Sequence, residues 1–397
     1  MFEEFMDTLP EWDYLPEYDQ PDYPGIRALF YSGLPLNGTP TKIFAYMGVP
    51  QSASPEKPVP AVVLVHGGGG HAFTEWVKVW NDRGYAAIAM CNTGHFPKKP
   101  GKIDIYGPDD WTHEPSEMAL RPDGWTLIPD NDGMKSYEQE LSAQWMYHAA
   151  GSVILAHNLL RADQRIAKDK IGITGISWGG VITSIVMGYD SRFAFYIPVY
   201  GCAHLGESLT WMKDCFTPGA LRLWDATERL NRVKGPILWV CWASDEAFSI
   251  NTNDASYGDT MDRAALSMRI DMLHGHVQGW TPLEIYRFAD NAVKGGLPLT
   301  KITAQPSSQT GRQVEMKIEA AEDTMRVEAV CYYITEALSF NEKSQIQQQW
   351  HEVKCGYDKS SGEIRAELPA EAHSYYIEVR NFCPEGCYVV SSRFITL

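Results

Sequence analysis

Lys170-Ile171-Gly172-Ile173-Thr174-Gly175-Ile176-Ser177-Trp178-Gly179-Gly180 decides the reading of this 397-residue chain. The apolar residues 171–176 have the composition and length of a buried strand, and a Gly-x-Ser-x-Gly-Gly motif straddles its end. Residues 181–187, Val-Ile-Thr-Ser-Ile-Val-Met, then continue as a helical run. A serine at a tight strand-to-helix turn has its oxygen pushed clear of the backbone, and flanking glycines relieve the crowding. The helix N-terminus behind it offers unpaired N–H groups to a developing oxyanion. Taken alone, the stretch reads more readily as a helix-capping serine beside packing glycines. The rest of the chain decides against that.

Upstream, residues 61–66 (Ala-Val-Val-Leu-Val-His) read as another buried strand, followed at once by Gly67-Gly68-Gly69-Gly70. Four glycines between a core strand and a helix let backbone N–H groups approach a ligand closely. The helix is expected over 73–83, with Trp76, Val77 and Trp80 facing the core. Before it, residues 26–31 and 42–47 read as antiparallel edge strands, and 85–90 as the next strand after it. Residues 92–132 form a long irregular segment, read as a wall of the site and containing Trp111 and Trp125. Ser136-x-x-Gln139 fits a capping box, so a long helix is expected from there, with His148 on its buried face.

Downstream, strands are expected over 193–200, 236–242 and 267–273, with Trp211, Phe216 and Trp224 in the connection after the first as candidate pocket residues. The second ends in Ala243-Ser244-Asp245-Glu246 and the third in His274-Gly275-His276. Thr281-Pro282-Leu283-Glu284 has the pattern of a capped helix start. Strands and helices alternating in this way imply a mostly parallel, doubly wound sheet. After about residue 299 the pattern becomes strands and turns only, which reads as an antiparallel β-sandwich of about a hundred residues. The expected division is therefore 1–298, a catalytic domain with an N-terminal β extension, and 299–397, the β-sandwich.

The formal charge of −16 argues against nucleic acid and anionic membranes as partners, and no apolar stretch is long enough to span a bilayer. The acidic start, Met1 to Asp7, lacks the pattern of a signal peptide, so a cytoplasmic location is expected. Eight scattered cysteines do not make a disulfide framework. Cys383 and Cys387 have no second Cys or His pair beside them in sequence, a poor zinc site. No metal and no cofactor are expected, and the sequence leaves room for a homo-oligomer.

Ser177, Asp245 and His274 or His276 thus fall in order, each after an expected strand. The carboxyl ends of parallel strands converge on one edge of a sheet, so these distant residues can meet there. With the loop His66-Gly67-Gly68-Gly69, this order resembles the α/β-hydrolase superfamily over residues 40–298. Pro198-Val199-Tyr200-Gly201-Cys202 and His274-Gly275-His276 with Gly279-Trp280 narrow the resemblance to the dienelactone-hydrolase and prolyl-oligopeptidase-like group often labelled acetyl xylan esterases. The resemblance implies a serine esterase that acts through an acyl-enzyme, with an ester as its small-molecule or carbohydrate substrate. Ser177 would be the nucleophile, His274 the base and Asp245 its orienting partner. His274 is preferred to His276 because it directly follows the expected strand. Backbone N–H groups of Trp178 and of Gly68 or Gly69 would bind the oxyanion. A serine peptidase of the oligopeptidase type and a non-catalytic binding protein are the competing readings.

Overall fold

A computed structural model of the chain describes all residues except 99, 103–109, 113–123 and 309–311. Much of the segment expected to wall the site, residues 92–132, therefore lies outside the described residues. The chain divides into two compact units, one of Met1–Gly201 with Cys215–Gly235 and one of Cys202–Asp214 with Pro236–Leu397.

The first unit is built on strands β1 (Trp12–Tyr14), β2 (Ile26–Ser32), β3 (Thr41–Gly48), β4 (Val59–Val65), β5 (Ala86–Met90), β6 (Ile166–Ile176) and β7 (Tyr196–Val199). They lie in the order β1-β2-β3-β5-β4-β6-β7. β4 pairs in parallel with β5 and β6, and β6 in parallel with β7. β1, β2 and β3 add the expected antiparallel edge. Every side chain of β5 is buried, as a parallel strand covered on both faces requires. Helix α1 (Thr74–Asp82) buries Trp76, Val77 and Trp80 against this sheet, so both tryptophans are core.

Helix α2 (Trp145–Ala162) begins nine residues after the expected capping box. The reason is Asp132, whose carboxylate accepts the N–H groups of Met134 and Ser136 and turns the chain before a helix can start. Gln144 then holds the connection by donating to the carbonyls of Tyr137 and Gln139. Residues 145–160 of α2 are all buried, so it has no polar stripe. Helix α3 (Trp178–Met187) follows β6 directly, and α4 (Pro218–Trp224) is capped by the Thr217 hydroxyl.

The second unit contains the parallel pair β8 (Ile237–Trp242) and β9 (Ala264–Arg269), with helices α5 (Ile250–Gly258), α6 (His276–Trp280) and α7 (Leu283–Lys294). Two antiparallel sheets follow. Their strands are β10 (Lys301–Ser308), β11 (Gln313–Glu319), β12 (Arg326–Ile334), β13 (His351–Lys354), β14 (Gly356–Asp358), β15 (Glu363–Glu367), β16 (Ser374–Cys383) and β17 (Gly386–Ser391). The orders are β10-β11-β15-β14 and β13-β12-β16-β17. Val314, Met316 and Ile318 alternate inward along β11, the period-2 signal the sequence carries. β10 is a strand the sequence reading did not anticipate.

β9 is bonded to these sheets. Met268 N donates to Ser391 Oγ at 2.8 Å and Ile270 N to Glu378 Oε2 at 3.0 Å. Glu284, expected as a helix-capping residue, is instead buried among Ser267 Oγ (2.6 Å), Arg269 (2.9 Å) and Val389 N (3.3 Å). Thr281 donates its hydroxyl to Val277 O and so closes the end of α6 rather than opening α7. Among the described residues, no helix is long and apolar enough to cross a membrane.

Candidate active site

Ser177 stands between β6 and α3 with φ 59° and ψ −120°, a conformation costly for any residue with a Cβ. Close packing holds it there. A Cβ on Gly175 would overlap the Gly179 carbonyl, one on Gly179 the Val65 carbonyl, and one on Gly201 the Ser177 carbonyl. The three glycines let the turn wedge between β4 and β7. Ser177 N donates to Val199 O at 2.9 Å and Ser177 O accepts the first helical bond, from Val181 N at 3.1 Å. Ser177 is partly exposed while its neighbours on both sides are buried. The conformation holds strain of about 1–3 kcal/mol at a partly exposed serine.

The glycine-rich loop is fixed from β5. Asn92, two residues past that strand, donates its side-chain amide to His66 O at 2.6 Å and its backbone N–H to His66 Nε2 at 3.1 Å. His66 Nδ1 donates to Gly67 O at 2.8 Å, so one tautomer satisfies the whole ring. Trp145 Nε1 donates to Asn92 O at 2.8 Å and ties the same residue to α2. His66 is thus a buried brace that leaves Gly68 and Gly69 exposed. Gly68 lies against Trp178, where a Cβ would come within 3.0 Å of the indole. Trp178 opens α3, so its N–H is one that the helix itself does not use. The three expected oxyanion donors therefore share one neighbourhood. Phe216 stacks over Trp178 with centroids 6.1 Å apart, whereas Trp224 is fully buried and donates to Gln144 Oε1.

In the second unit, Asp245 and His274 come together. His274 Nδ1 donates to Asp245 Oδ2 at 2.7 Å. Asp245 is 0% exposed, and its other oxygen accepts the N–H groups of Ala247 and Phe248, both at 2.8 Å. His274 has 27% of its side chain exposed and stacks on Phe248. It does not directly follow a strand: β9 ends at Arg269, and a four-residue connection leads to it. His276 is the first residue of α6.

A second buried His–Asp pair was not anticipated from sequence. His157 Nδ1 donates to Asp190 Oδ2 at 2.9 Å, Arg192 holds the same carboxylate, and both side chains are 0% exposed. Burial pushes the His157 pKa down, so it packs as a neutral ring. His148, with its Nε2 on Ser142 O, is likewise the core histidine expected. All eight cysteines are free thiols, and no His/Cys/Asp/Glu cluster able to hold a metal occurs among the described residues.

Residues 122–233 match the family model described as the prolyl oligopeptidase family. Among solved structures, the chain is similar to acetyl xylan esterase 1 from Thermoanaerobacterium sp. JW/SL YS485. The identity is 15%, the TM-score 0.51, and the match covers 73% of this chain and 93% of that one. It is similar also to an acetyl xylan esterase from Paenibacillus sp. R4, with 17% identity, a TM-score of 0.52 and coverage of 73% and 94%. The chain has the α/β-hydrolase fold. A weaker likeness, with a TM-score of 0.47 and 15% identity, links it to a Pyrococcus horikoshii acylaminoacyl peptidase, over 74% of this chain and 44% of that one. No curated protein matches this chain in sequence.

Proposed function

We propose that this α/β-hydrolase is a serine hydrolase of carboxylic esters that removes acetyl or similar acyl groups from a carbohydrate. The observation that carries it is the His274–Asp245 pair: a buried carboxylate fixed by two backbone N–H groups, bonded to a partly exposed imidazole. Such a pair orients a base toward a nucleophile. The strained, partly exposed Ser177 is the nucleophile this reading assigns to it.

In this reading His274 Nε2 takes the Ser177 proton as Oγ attacks the ester carbonyl. Asp245 holds the imidazole with Nδ1 protonated and stabilises the imidazolium. The oxyanion is received by the N–H groups of Trp178 and of Gly68 or Gly69. Collapse expels the alcohol, which takes the proton from His274, and leaves an acyl-Ser177. Water, deprotonated by His274, then releases the acid and restores the hydroxyl. No step calls on a metal or cofactor.

The likeness to two acetyl xylan esterases supports the ester and the carbohydrate parts of the proposal. The match to the prolyl oligopeptidase family favours a second reading, cleavage of a peptide amide. Assay of acetate release from acetylated xylan and 4-nitrophenyl acetate, beside an N-acyl peptide anilide, separates the two. Release from the esters with none from the anilide is the expected result. Turnover of the anilide alone would overturn it.

A further inference from the structure

Residues 339–350, between β12 and β13, do more than connect two strands. The loop is braced internally: Asn341 Oδ1 accepts the N–H groups of Lys343 (2.9 Å) and Gln345 (3.0 Å), and Gln348 Oε1 accepts Ser339 N (2.8 Å). At its tip Ser344 is buried in a left-handed conformation, φ 58°, and its Oγ accepts Trp211 N at 2.8 Å. At its end Trp350 Nε1 donates to Ser244 Oγ at 3.0 Å, beside Asp245. A loop of the C-terminal β region is thus bolted at two points, to the segment of Trp211 and to the turn that carries Asp245.

The segment held at the first bolt leads back to the base. Thr210 Oγ1 bonds Ala247 O, and Leu209 N donates to Ser249 Oγ at 3.1 Å. Ala247 and Phe248 are the residues whose N–H groups fix Asp245, and the Phe248 ring stacks on His274. Trp211 is nevertheless 45% exposed. A large indole left in solvent on a pinned backbone has its point of attachment fixed before any ligand arrives. The exposed amides Asn341, Gln345 and Gln347 stiffen the loop from within: Asn341 Nδ2 donates to Gln345 Oε1 at 3.2 Å and Gln347 Nε2 to Gln345 O at 3.0 Å. An exposed indole face is a group that recognises a polyhydroxylated ring, by stacking on its C–H side.

We infer that residues 339–350 form a substrate-recognition arm that presents Trp211 to a sugar ring in the alcohol part of the substrate. This rests on the ester-hydrolase reading and adds to it the residues that choose the alcohol. The arm contributes binding to a glycan chain and none to the chemistry of a small ester.

The test compares KM and kcat for an acetylated xylo-oligosaccharide and for 4-nitrophenyl acetate in wild type, Trp211→Ala and Ser344→Gly. Glycine keeps the left-handed tip and removes the hydroxymethyl group whose Oγ holds Trp211. In Trp211→Ala the KM for the oligosaccharide is expected to rise about tenfold more than the KM for the small ester. Ser344→Gly moves the ratio in the same direction by less. Equal changes on both esters would show a merely structural role and overturn the inference while leaving the hydrolase intact. Failure of wild type to cleave either ester would overturn the hydrolase reading, and the arm with it.

Discussion

Asp245 divides its work between two oxygens. Oδ1 accepts two backbone N–H groups and fixes the turn, while Oδ2 faces His274. Asp245→Asn keeps an acceptor for the turn but sets an N–H opposite Nδ1, which forces the imidazole into the tautomer that cannot accept a serine proton. The expected result is a fall in kcat of about 10⁴-fold with an unchanged melting temperature. A loss below tenfold would remove Asp245 from the mechanism. Asp190, in the other His–Asp pair, gives the contrast, because its variant is read in stability. Burial alone would raise the Asp190 pKa, but Arg192 and His157 outweigh it and hold the carboxyl far below its usual range. A lowered folded pKa means the stabilisation is complete above the unfolded value, about 3.9, and is lost as pH falls through the folded value. Asp190→Asn is therefore expected to cost about 3 kcal/mol in urea melts at pH 7, with the gap from wild type closing only well below pH 4. A gap that closed between pH 5 and 7 would contradict this.

At the scale of elements, the strand–turn–helix around Ser177 was legible because its sequence signals are contiguous, even though the carbonyl that excludes a Cβ at Gly179 belongs to distant Val65. Those signals are an apolar run long enough for a strand, glycines where neighbouring carbonyls exclude a Cβ, and a second apolar run. The β-rich C-terminal region was legible for the same reason, through alternation such as Val314, Met316 and Ile318. What failed was what depends on distant partners. Ser136-x-x-Gln139 carries the letters of a capping box, but Asp132 takes the Ser136 N–H first. Glu284 sits where a cap belongs, yet Ser267, Arg269 and Val389 claim it. The role of Asn92 was invisible because its partner, His66, is 26 residues away. It yields a prediction at this scale. Asn92→Ala frees the His66 carbonyl and lets the Gly68–Gly69 loop drift from Trp178. We expect kcat/KM to fall by about 100-fold, as for a small misplacement of catalytic donors, with the fold retained by circular dichroism. Undiminished activity would show that the loop holds its place without Asn92.

At the scale of the whole molecule, the candidate acid and base belong to the same compact unit as the C-terminal sheets. Within it β9 leans on Ser391 and Glu378, Glu284 on Val389, and Asp254 on Arg393 at 2.7 Å. A chain ending at residue 298 leaves buried Glu284 and Asp254 without these partners and uncovers β9. Such a chain is expected to be insoluble or inactive, checked by expression and ester assay; full activity would show the C-terminal sheets to be dispensable. The central proposal is that Ser177 is the nucleophile served by the His274–Asp245 pair. Labelling with a fluorophosphonate followed by peptide mapping, on wild type and on Ser177→Ala, tests it most directly. One adduct on Ser177, absent from a folded Ser177→Ala, is the predicted result. A folded wild type that takes no label, or takes it on another residue, would contradict the account.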